Sequence, residues 1–427
     1  MFFRFYGQHF DYENTLLEDE TDAEDSWNLI QGGFRMDYIP SASQSFTLQA
    51  ELYDGEEDDT LTTLVNGQHI LGKWTRSFSE KSEFFVQAYY DRSSRYFGTS
   101  DFTEELTTID IEAHQQFMLG ERSNVLIGAG FRHQDNETTS STSTFTPEDI
   151  KLNLISGFIQ DQIDIVPEKF TLTLGSKFLH NDYTGFEIQP SIRFAWTISD
   201  IHTLWSAVSR AVRTPSRLDV DLTAFQQIDH PAFVSEKVVA YELGYKLRPF
   251  NKVNFSLATF YNQYTDLRTI NVVIAQDTNY YFGNDMGADT WGIELSANVL
   301  ASNWWRLRGG LTYLSKEFTI NSPAVLPGTE LLEGIDPDYQ VVVQSVMDIT
   351  EALEFDLVLR YIDDLPAVPL RFLPAVDSYL AMNARIAWEY KFMTLALTGQ
   401  NLLAPTNREF GNKLIPRSIN ARITLRW

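Results

Sequence analysis

One set of potential metal ligands alternates over five residues of the sequence. Asp110, Glu112 and His114 are separated by single residues, and Ile109 and Ile111 lie beside them. In a β-strand this spacing places the three polar side chains on one face, about 7 Å apart along the strand. At that separation two carboxylates and an imidazole are too far apart to share one small ion. We therefore interpret them as polar wall residues and predict no metal site.

The sequence contains no pattern that pairs a nucleophile with a general base. Its histidines are dispersed: His9, His69, His114, His133, His180, His202 and His230. A Ser-His-Asp or Ser-His-Asn hydrolase needs nucleophile and base at one height, and no His-x-Ser pairing of that kind is present. The chain of 427 residues has no cysteine, which excludes disulfides, iron–sulfur clusters and cysteine zinc sites. We expect neither an enzyme nor a cofactor.

Acidic residues outnumber basic ones by 58 to 33, and the net charge is −25. Nucleic-acid binding needs a basic patch, and none is visible, so we expect no nucleic-acid partner. The acids crowd two polar segments: Asp11, Glu13, Glu18, Asp19, Glu20, Asp22, Glu24 and Asp25 in the first, and Glu56, Glu57, Asp58 and Asp59 in the second.

The elements that position these residues have the pattern of β-strands with one polar face. Phe46, Leu48, Ala50 and Leu52 alternate with polar residues, and the same period recurs at 125–131, 188–196, 239–245 and 419–427. Helical periodicity is absent over comparable lengths. No stretch approaches the ~18 consecutive apolar residues of a transmembrane helix. The alternation predicts an all-β chain with one wet face.

The polar connections between strands alternate between long and short. Long ones lie at 11–25, 54–66, 93–103, 135–150, 214–234 and 316–338, and short ones at 40–44, 79–82, 119–123, 166–169, 199–202, 248–252, 301–303 and 349–352. Short periplasmic turns and longer extracellular loops are typical of outer-membrane β-barrels. We predict a transmembrane antiparallel barrel of about twenty strands, with both chain ends on the periplasmic side. A membrane crossing needs only about 9–11 residues, fewer than the chain provides for each strand and its connection. The strands must therefore project beyond the outer face.

Tryptophan positions agree with a membrane-spanning barrel. Most lie within about five residues of a short turn or the C-terminus: Trp74, Trp196, Trp205, Trp304, Trp305, Trp388 and Trp427. Because the indole ring is amphipathic, aromatic girdles form at the level of the lipid headgroups. A soluble β-propeller, the main alternative fold, would show a motif repeated every ~40–50 residues. No such repeat is present.

Several strings resemble the barrel of TonB-dependent outer-membrane receptors, and their order and spacing carry the resemblance over roughly residues 158–427. They are Phe158-Ile159-Gln160-Asp161, Leu174-Gly175-Ser176-Lys177, Gln189-Pro190-Ser191-Ile192-Arg193, Trp205 with Ser209-Arg210-Ala211-Val212-Arg213-Thr214-Pro215, Tyr241-Glu242-Leu243-Gly244-Tyr245, Tyr261 with Tyr264, Asp266 and Leu267, Gly292-Ile293-Glu294, and Asn401-Leu402-Leu403. The alternating last strand, which ends on Trp427, looks like the assembly signal of outer-membrane barrels.

The resemblance implies a receptor for energy-coupled uptake of a scarce nutrient, such as a ferric siderophore, cobalamin or a sugar. Family members begin with a signal peptide, a coupling box and a globular plug, followed by a barrel of twenty-two strands. We identify none of the first three segments here, and we predict one barrel domain over residues 1–427. Two interpretations stay open: a receptor fragment that lacks the first two strands, and a natural variant without a plug.

The resemblance also singles out Glu242 and Glu294. Each has apolar neighbours on its strand, so both carboxylates are expected to point into the lumen. In the resembling family, glutamates at these motif positions form ion pairs with plug arginines; the alternative is that both are ordinary solvated lumen acids. Basic residues are expected along the same wall, where a plug or an anionic chelate would meet them: Arg35, Lys73, Arg132, Lys177 and Arg193.

Residues near the predicted outer loops complete the expected site. Tyr280, Tyr281 and Phe282 are candidate ligand contacts. The acidic loops would bind divalent cations that bridge to lipopolysaccharide phosphates, or would favour a cationic or metal-bearing ligand. The expected partners are outer-membrane lipid and lipopolysaccharide, a plug domain, the TonB energy-coupling protein and a small nutrient ligand.

Two other functions remain open at this point. A barrel of twenty strands without a plug would be a passive porin-like channel with an aqueous lumen. An outer-membrane lipase would hydrolyse phospholipid in a calcium-dependent reaction.

Overall fold

Twenty strands of the chain join in one antiparallel sheet, as the spacing of the connections predicts. The structure, a computed structural model, describes residues 1–58, 62–98, 100–140, 145–222, 232–274 and 278–426. The strands of the sheet are β1 (Phe2–Tyr12), β2 (Trp27–Ser41), β3 (Gln44–Glu57), β4 (Thr63–Ser79), β5 (Ser82–Phe97), β6 (Phe102–Leu119), β7 (Ser123–Ser140), β8 (Asp149–Val166), β9 (Phe170–Asn181), β10 (Gly185–Thr197), β11 (His202–Arg213), β12 (Glu236–Phe250), β13 (Val253–Ile274), β14 (Thr278–Ser302), β15 (Trp305–Ile320), β16 (Tyr339–Thr350), β17 (Leu353–Ile362), β18 (Tyr379–Tyr390), β19 (Met393–Gln400) and β22 (Ser418–Leu425).

The remaining elements are short and lie in the connections. A separate hairpin consists of β20 (Thr406–Phe410) and β21 (Lys413–Pro416). Two single-turn helices, α1 (Arg217–Val220) and α2 (Glu330–Glu333), and a 3₁₀ turn at Pro369–Arg371 complete the fold. Within the described residues, no helix is long and apolar enough to cross a bilayer.

The sheet is a meander in which each strand pairs with its neighbours in sequence. The pairing runs without interruption from β1 to β19, and β22 then pairs with β19. In β3 the register places Phe46 opposite Trp74 and Leu48 opposite Gly72, so apolar side chains of adjacent strands share one face. A slip by one residue would turn every one of them to the other face. This apolar face points outward and stays uncovered by protein; Leu52, for example, is 63% exposed.

All nine connections at one end of the sheet are short, as predicted. They span 42–43, 80–81, 120–122, 167–169, 198–201, 251–252, 303–304, 351–352 and 391–392. Gly120 adopts a left-handed conformation with φ of +72° in one of these turns, a conformation that glycine reaches without strain.

At the opposite end, at least half of each of three predicted long loops is strand. The predicted loops at 54–66, 93–103 and 135–150 shrink to 58–62, 98–101 and 141–148, because β3 to β8 continue outward. Beyond the lipid both faces of a strand are wet, so polar side chains occupy both faces while the backbone ladder continues. The pattern of polar residues alone therefore did not predict where these strands end. Long connections remain at 13–26, 214–235, 321–338, 363–378 and 401–417.

Among the predicted girdle tryptophans that the structure describes, Trp205 departs from the prediction. Trp196 and Trp388 face outward close to these turns and are 40% and 45% exposed. The prediction is wrong for Trp205, which faces the lumen and covers Gly244 on the next strand. The glycine leaves room for the indole ring. This arrangement depends on the register that places Gly244 opposite Trp205. Trp427 and Asp59 lie outside the described residues.

A contact between the first and last outer loops brings the two ends of the sheet together. Within the described residues, β1 pairs only with β2, and β22 pairs only with β19. Leu16 and Leu414 exchange two backbone hydrogen bonds of 3.1 and 2.6 Å. Ion pairs support them: the Lys413 amine lies 2.8 Å from Asp25, and Arg408 lies 3.1 Å from Glu18. We call this contact the end clamp.

Candidate transport lumen

The inward face of β9 to β12 holds two of the predicted wall residues at one cavity. Thr173 pairs with Arg193, Arg193 with Ala207, and Ala207 with Glu242, so inward side chains of four adjacent strands form one row. Arg193 and Glu242 border a lumen cavity of about 560 Å³, which Trp205 also lines. Both charged residues are exposed. Their proximity depends on strand registers that the sequence does not reveal.

Glu294 lies one inward row closer to the short turns. It pairs with Ala258 on β13 and with Thr312 on β15, whereas Glu242 pairs with Phe260. Like Glu242, it is an exposed carboxylate of the lumen wall. Within the described residues neither glutamate forms an ion pair, so each presents a charge to the lumen. Their role toward a plug stays a prediction.

Of the four remaining basic wall residues, Lys177 and Arg35 differ in their surroundings. Lys177 is exposed on the inward face of β9, opposite Gln189. Arg35, in contrast, donates from Nε and Nη2 to the two carboxylate oxygens of Asp37, at 2.8 and 3.0 Å. Because its charge is compensated by a bidentate partner on the same strand, Arg35 is less suited than Lys177 to meet an incoming anion.

Charged residues of β4 to β7 are also compensated locally. The Lys73 amine lies 5.1 Å from the centre of the Phe85 ring, and Arg132 donates to Asp110 at 2.8 Å. The His114 ring stacks on Phe85 with 4.4 Å between ring centres. Among the residues that the structure describes, no group of three or more potential ligands could hold a metal ion. The role of Asp110, Glu112 and His114 as polar wall residues stays a prediction.

A buried carboxylate organises the outer mouth of the lumen. The Asp219 side chain is fully buried in α1, where it accepts hydrogen bonds of 2.9 Å from both the backbone N–H and the hydroxyl of Ser216. Arg213 and Arg268 approach it to 3.2 and 3.0 Å. Burial raises the pKa of Asp219, but the Ser216 hydrogen bonds and the two arginine charges outweigh burial and hold the pKa below its usual value.

Two glutamates extend this group into a network. Arg213 binds Glu236 through two hydrogen bonds of 2.7 and 2.8 Å, and Arg268 reaches Glu333 of α2 at 3.3 Å. The backbone N–H of Arg268 also donates to Glu236. We call these five residues, Arg213, Asp219, Glu236, Arg268 and Glu333, the mouth network. It joins the outer ends of β11 to β13 to α1 and α2.

Sequence reasoning missed the mouth network, although one local signal was visible. Ser216 and Asp219 have the spacing of a capping box. In this motif the side chain of each residue accepts a hydrogen bond from the backbone N–H of the other. The arginines and glutamates come from segments far apart in sequence. Their meeting point depends on how far each strand extends above the membrane.

The predicted aromatic ligand contacts lie at the outer tips of β13 and β14. Tyr280, Tyr281 and Phe282 pair with residues 272, 271 and 270, respectively. Tyr280 is 42% exposed, whereas the Arg268 guanidinium lies over the Phe282 ring at 5.7 Å. Phe282 therefore packs against the mouth network. A ligand role for the three residues stays a prediction.

Comparisons with known proteins agree with this architecture. Residues 2–402 match the family described as TonB dependent receptor-like, beta-barrel. Similar solved structures include the copper transporter OprC, with 12% identity and a TM-score of 0.78, covering 99% of this chain and 75% of that one. A mutant of the ferric enterobactin receptor PfeA from Pseudomonas aeruginosa has 14% identity, a TM-score of 0.78 and coverages of 99% and 75%. The siderophore receptor PiuA from Acinetobacter baumannii has 11% identity, a TM-score of 0.81 and coverages of 100% and 77%.

At these identities the solved structures establish the fold alone, and the comparison with curated proteins found no match. The family match covers nearly the whole chain and places it in the bacterial outer membrane. This family transports and is not enzymatic, so the lipase alternative is excluded. Membership implies coupling to TonB and binding of a small ligand. The chain belongs to the β-barrel family of TonB-dependent receptors.

Proposed function

We propose that residues 1–427 act as one barrel domain that takes up a scarce nutrient, driven by TonB and controlled by a plug domain seated in the lumen. The main observation that supports this proposal is the group of exposed charged side chains on the wall of β9 to β14. Arg193 and Glu242 share one cavity, and Lys177 and Glu294 face the same lumen. Within the described residues none of these four forms an ion pair, so each is available to a complementary charge.

The plug contact can be tested with the two glutamates. A plug domain supplied in trans should bind the refolded barrel. Glu242→Gln with Glu294→Gln should weaken binding by about thirtyfold, because two charge-assisted contacts of roughly 1 kcal/mol each are lost. Binding is measured by co-purification and by isothermal titration. Glu112→Gln is the matched control, since Glu112 is an inward acid on β6, on another part of the wall. Equal plug retention in the double variant and the control would contradict the assignment.

For the substrate we propose a metal-bearing chelate. Its support is the fold likeness to structures described as a copper transporter and as siderophore receptors. Uptake of labelled ferric siderophores and of copper should be measured in cells with and without TonB. We expect uptake of one of these substrates that is lost without TonB.

The porin-like alternative predicts a different result. Uptake would then be independent of TonB, and the refolded chain in planar bilayers would show large steady currents.

A further inference from the structure

The outer surface of the barrel carries a recess on β1 to β5. Gly7 pairs directly with Gly32, and the same row continues through Leu52, Gln68 and Arg92. By strand alternation all five side-chain positions face outward, on the side of Phe46 and Leu48. The recess has a volume of about 850 Å³. It is separate from the lumen and from the proposed transport function.

The two paired glycines open the floor of the recess. A Cβ atom added at Gly7 would meet nothing within 4 Å, and one at Gly32 would meet only the Tyr6 carbonyl oxygen at 3.7 Å. Ile30 and Leu52 form apolar walls and are 60% and 63% exposed. An apolar chain can therefore lie against the backbone between them.

The recess lies where the lipid-facing surface ends. The row nearer the short turns contains Phe5, Phe34, Ala50, Ile70 and Tyr90, which are apolar or aromatic. Beyond the recess, the outward row is largely polar: His9, Ile30, Asp54, Asn66 and Ser94. Because the long loops are extracellular, this border is that of the outer leaflet.

We propose that the recess binds one molecule of lipopolysaccharide, with an acyl chain along Gly7 and Gly32 and a phosphate at Arg92. Continuity with the lipid-facing band makes a membrane lipid the occupant. Arg92 donates from Nη2 to Glu105 at 2.6 Å, and a guanidinium has five N–H donors, so others remain for a phosphate.

The polar rim favours a phosphorylated glycolipid over a glycerophospholipid. Asp54, Asn66 and Gln68 line the recess beside Arg92. A carboxylate and two amides can accept and donate several hydrogen bonds to sugar hydroxyls. A glycerophospholipid offers the same phosphate and acyl chain but fewer hydroxyl groups.

Two variants test the site independently. Gly32→Phe fills the floor, and the 3.7 Å contact of its Cβ is ordinary van der Waals distance, so the strand can accept the side chain. Arg92→Gln removes the guanidinium. The full chain is purified from outer membranes in mild detergent, and the bound lipid is identified and counted by native mass spectrometry. We expect one lipopolysaccharide per wild-type chain and an occupancy reduced about tenfold in each variant.

Matched controls lie on the same outer face. Gly72→Phe adds the same side chain at an outward glycine below the recess, where nothing lies within 4 Å of a Cβ. Lys151→Gln removes a cation from the same row as Arg92, where Lys151 pairs with Asp135. Both controls should retain lipopolysaccharide, and heat-modifiable migration verifies folding of all four variants. Equal occupancy in all variants, or the loss of a glycerophospholipid instead, would overturn the proposal.

Discussion

Asp219 is the buried residue of the mouth network, and it contacts both arginines. Its fully buried carboxylate accepts a hydrogen bond from Ser216 and partly neutralises the charges of Arg213 and Arg268. Removal of this carboxylate leaves the two arginines without a shared anion. Breaking a buried pair by deleting one partner costs about 3–5 kcal/mol. Arg213 is 45% exposed and can be rehydrated, which places the expected cost near the lower end.

We therefore predict that Asp219→Ala destabilises the mouth by about 3 kcal/mol. Faster hydrogen exchange at residues 213–222 and 266–270 would report it, with little change in the strands near the short turns. Asp200→Ala, in an exposed turn at the other end of the barrel, is the control. Unchanged exchange around Arg268 would show that the mouth network does not depend on this carboxylate.

Gly244 offers a second test at the scale of single atoms. A Cβ at this position would lie 2.1 Å from the Trp205 ring, so Gly244→Ala must displace the indole into the lumen. Overpacking of this kind costs about 1–3 kcal/mol. We expect a red-shifted tryptophan emission and a lower unfolding temperature. Gly72→Ala has open space around the new methyl group and should leave both unchanged.

At the scale of the elements, the end clamp should depend on pH. Burial raises the pKa of Asp25, but hydrogen bonds from Lys413 and Thr15 outweigh burial and lower it. The pKa of this carboxyl is lower in the folded protein than in the unfolded chain, where it is about 4. The carboxylate therefore stabilises the clamp fully above about pH 4, and this contribution is lost as the pH falls through the pKa of the folded protein.

The protection factors of the Leu16 and Leu414 amides, which correct for the pH dependence of intrinsic exchange, should accordingly be high at neutral pH and fall in acid below about pH 4. Asp25→Asn should remove most of this acid dependence and exchange faster at pH 7. Asp19→Asn, an exposed acid in the same loop, is the control. If the Asp25 variant and the wild type show the same acid profile, another group controls the clamp.

Strands were predicted correctly from the sequence where one face of the sheet contacts lipid and the other contacts water. Phe46 to Leu52 alternate strictly because of this difference, and the short turns follow from polar breaks between such runs. The outer extensions of β3 to β8 were not predicted, since water on both faces erases the alternation. The lumen orientation of Trp205 and the shared cavity of Arg193 and Glu242 depend on the register of several strands, which no local pattern encodes.

At the scale of the whole molecule, the end clamp joins residues nearly 400 positions apart in the sequence. Leu16 and Leu414 form a hydrogen-bonded antiparallel bridge, for which a Cα separation of about 5.5 Å is typical and suits a disulfide. The chain has no cysteine that could compete.

Leu16→Cys with Leu414→Cys should therefore form a disulfide under oxidising conditions. We expect the bridge to stabilise the barrel by roughly 2–4 kcal/mol, measured as a higher unfolding temperature that reduction reverses. Leu17→Cys with Leu414→Cys is the control, because the bridge pairs Leu414 with Leu16 and not with Leu17. Failure of the first pair to crosslink in folded protein would show that the two loops do not meet.

The meander has a mechanical consequence. Since each strand is bonded only to its neighbours in the described sheet, a load applied to the C-terminal end can act on one hairpin at a time. Force spectroscopy should then record a staircase of similar extraction steps, each releasing two strands. The end clamp would appear as one initial event at higher force, and Asp25→Asn should lower that first peak while leaving the staircase unchanged.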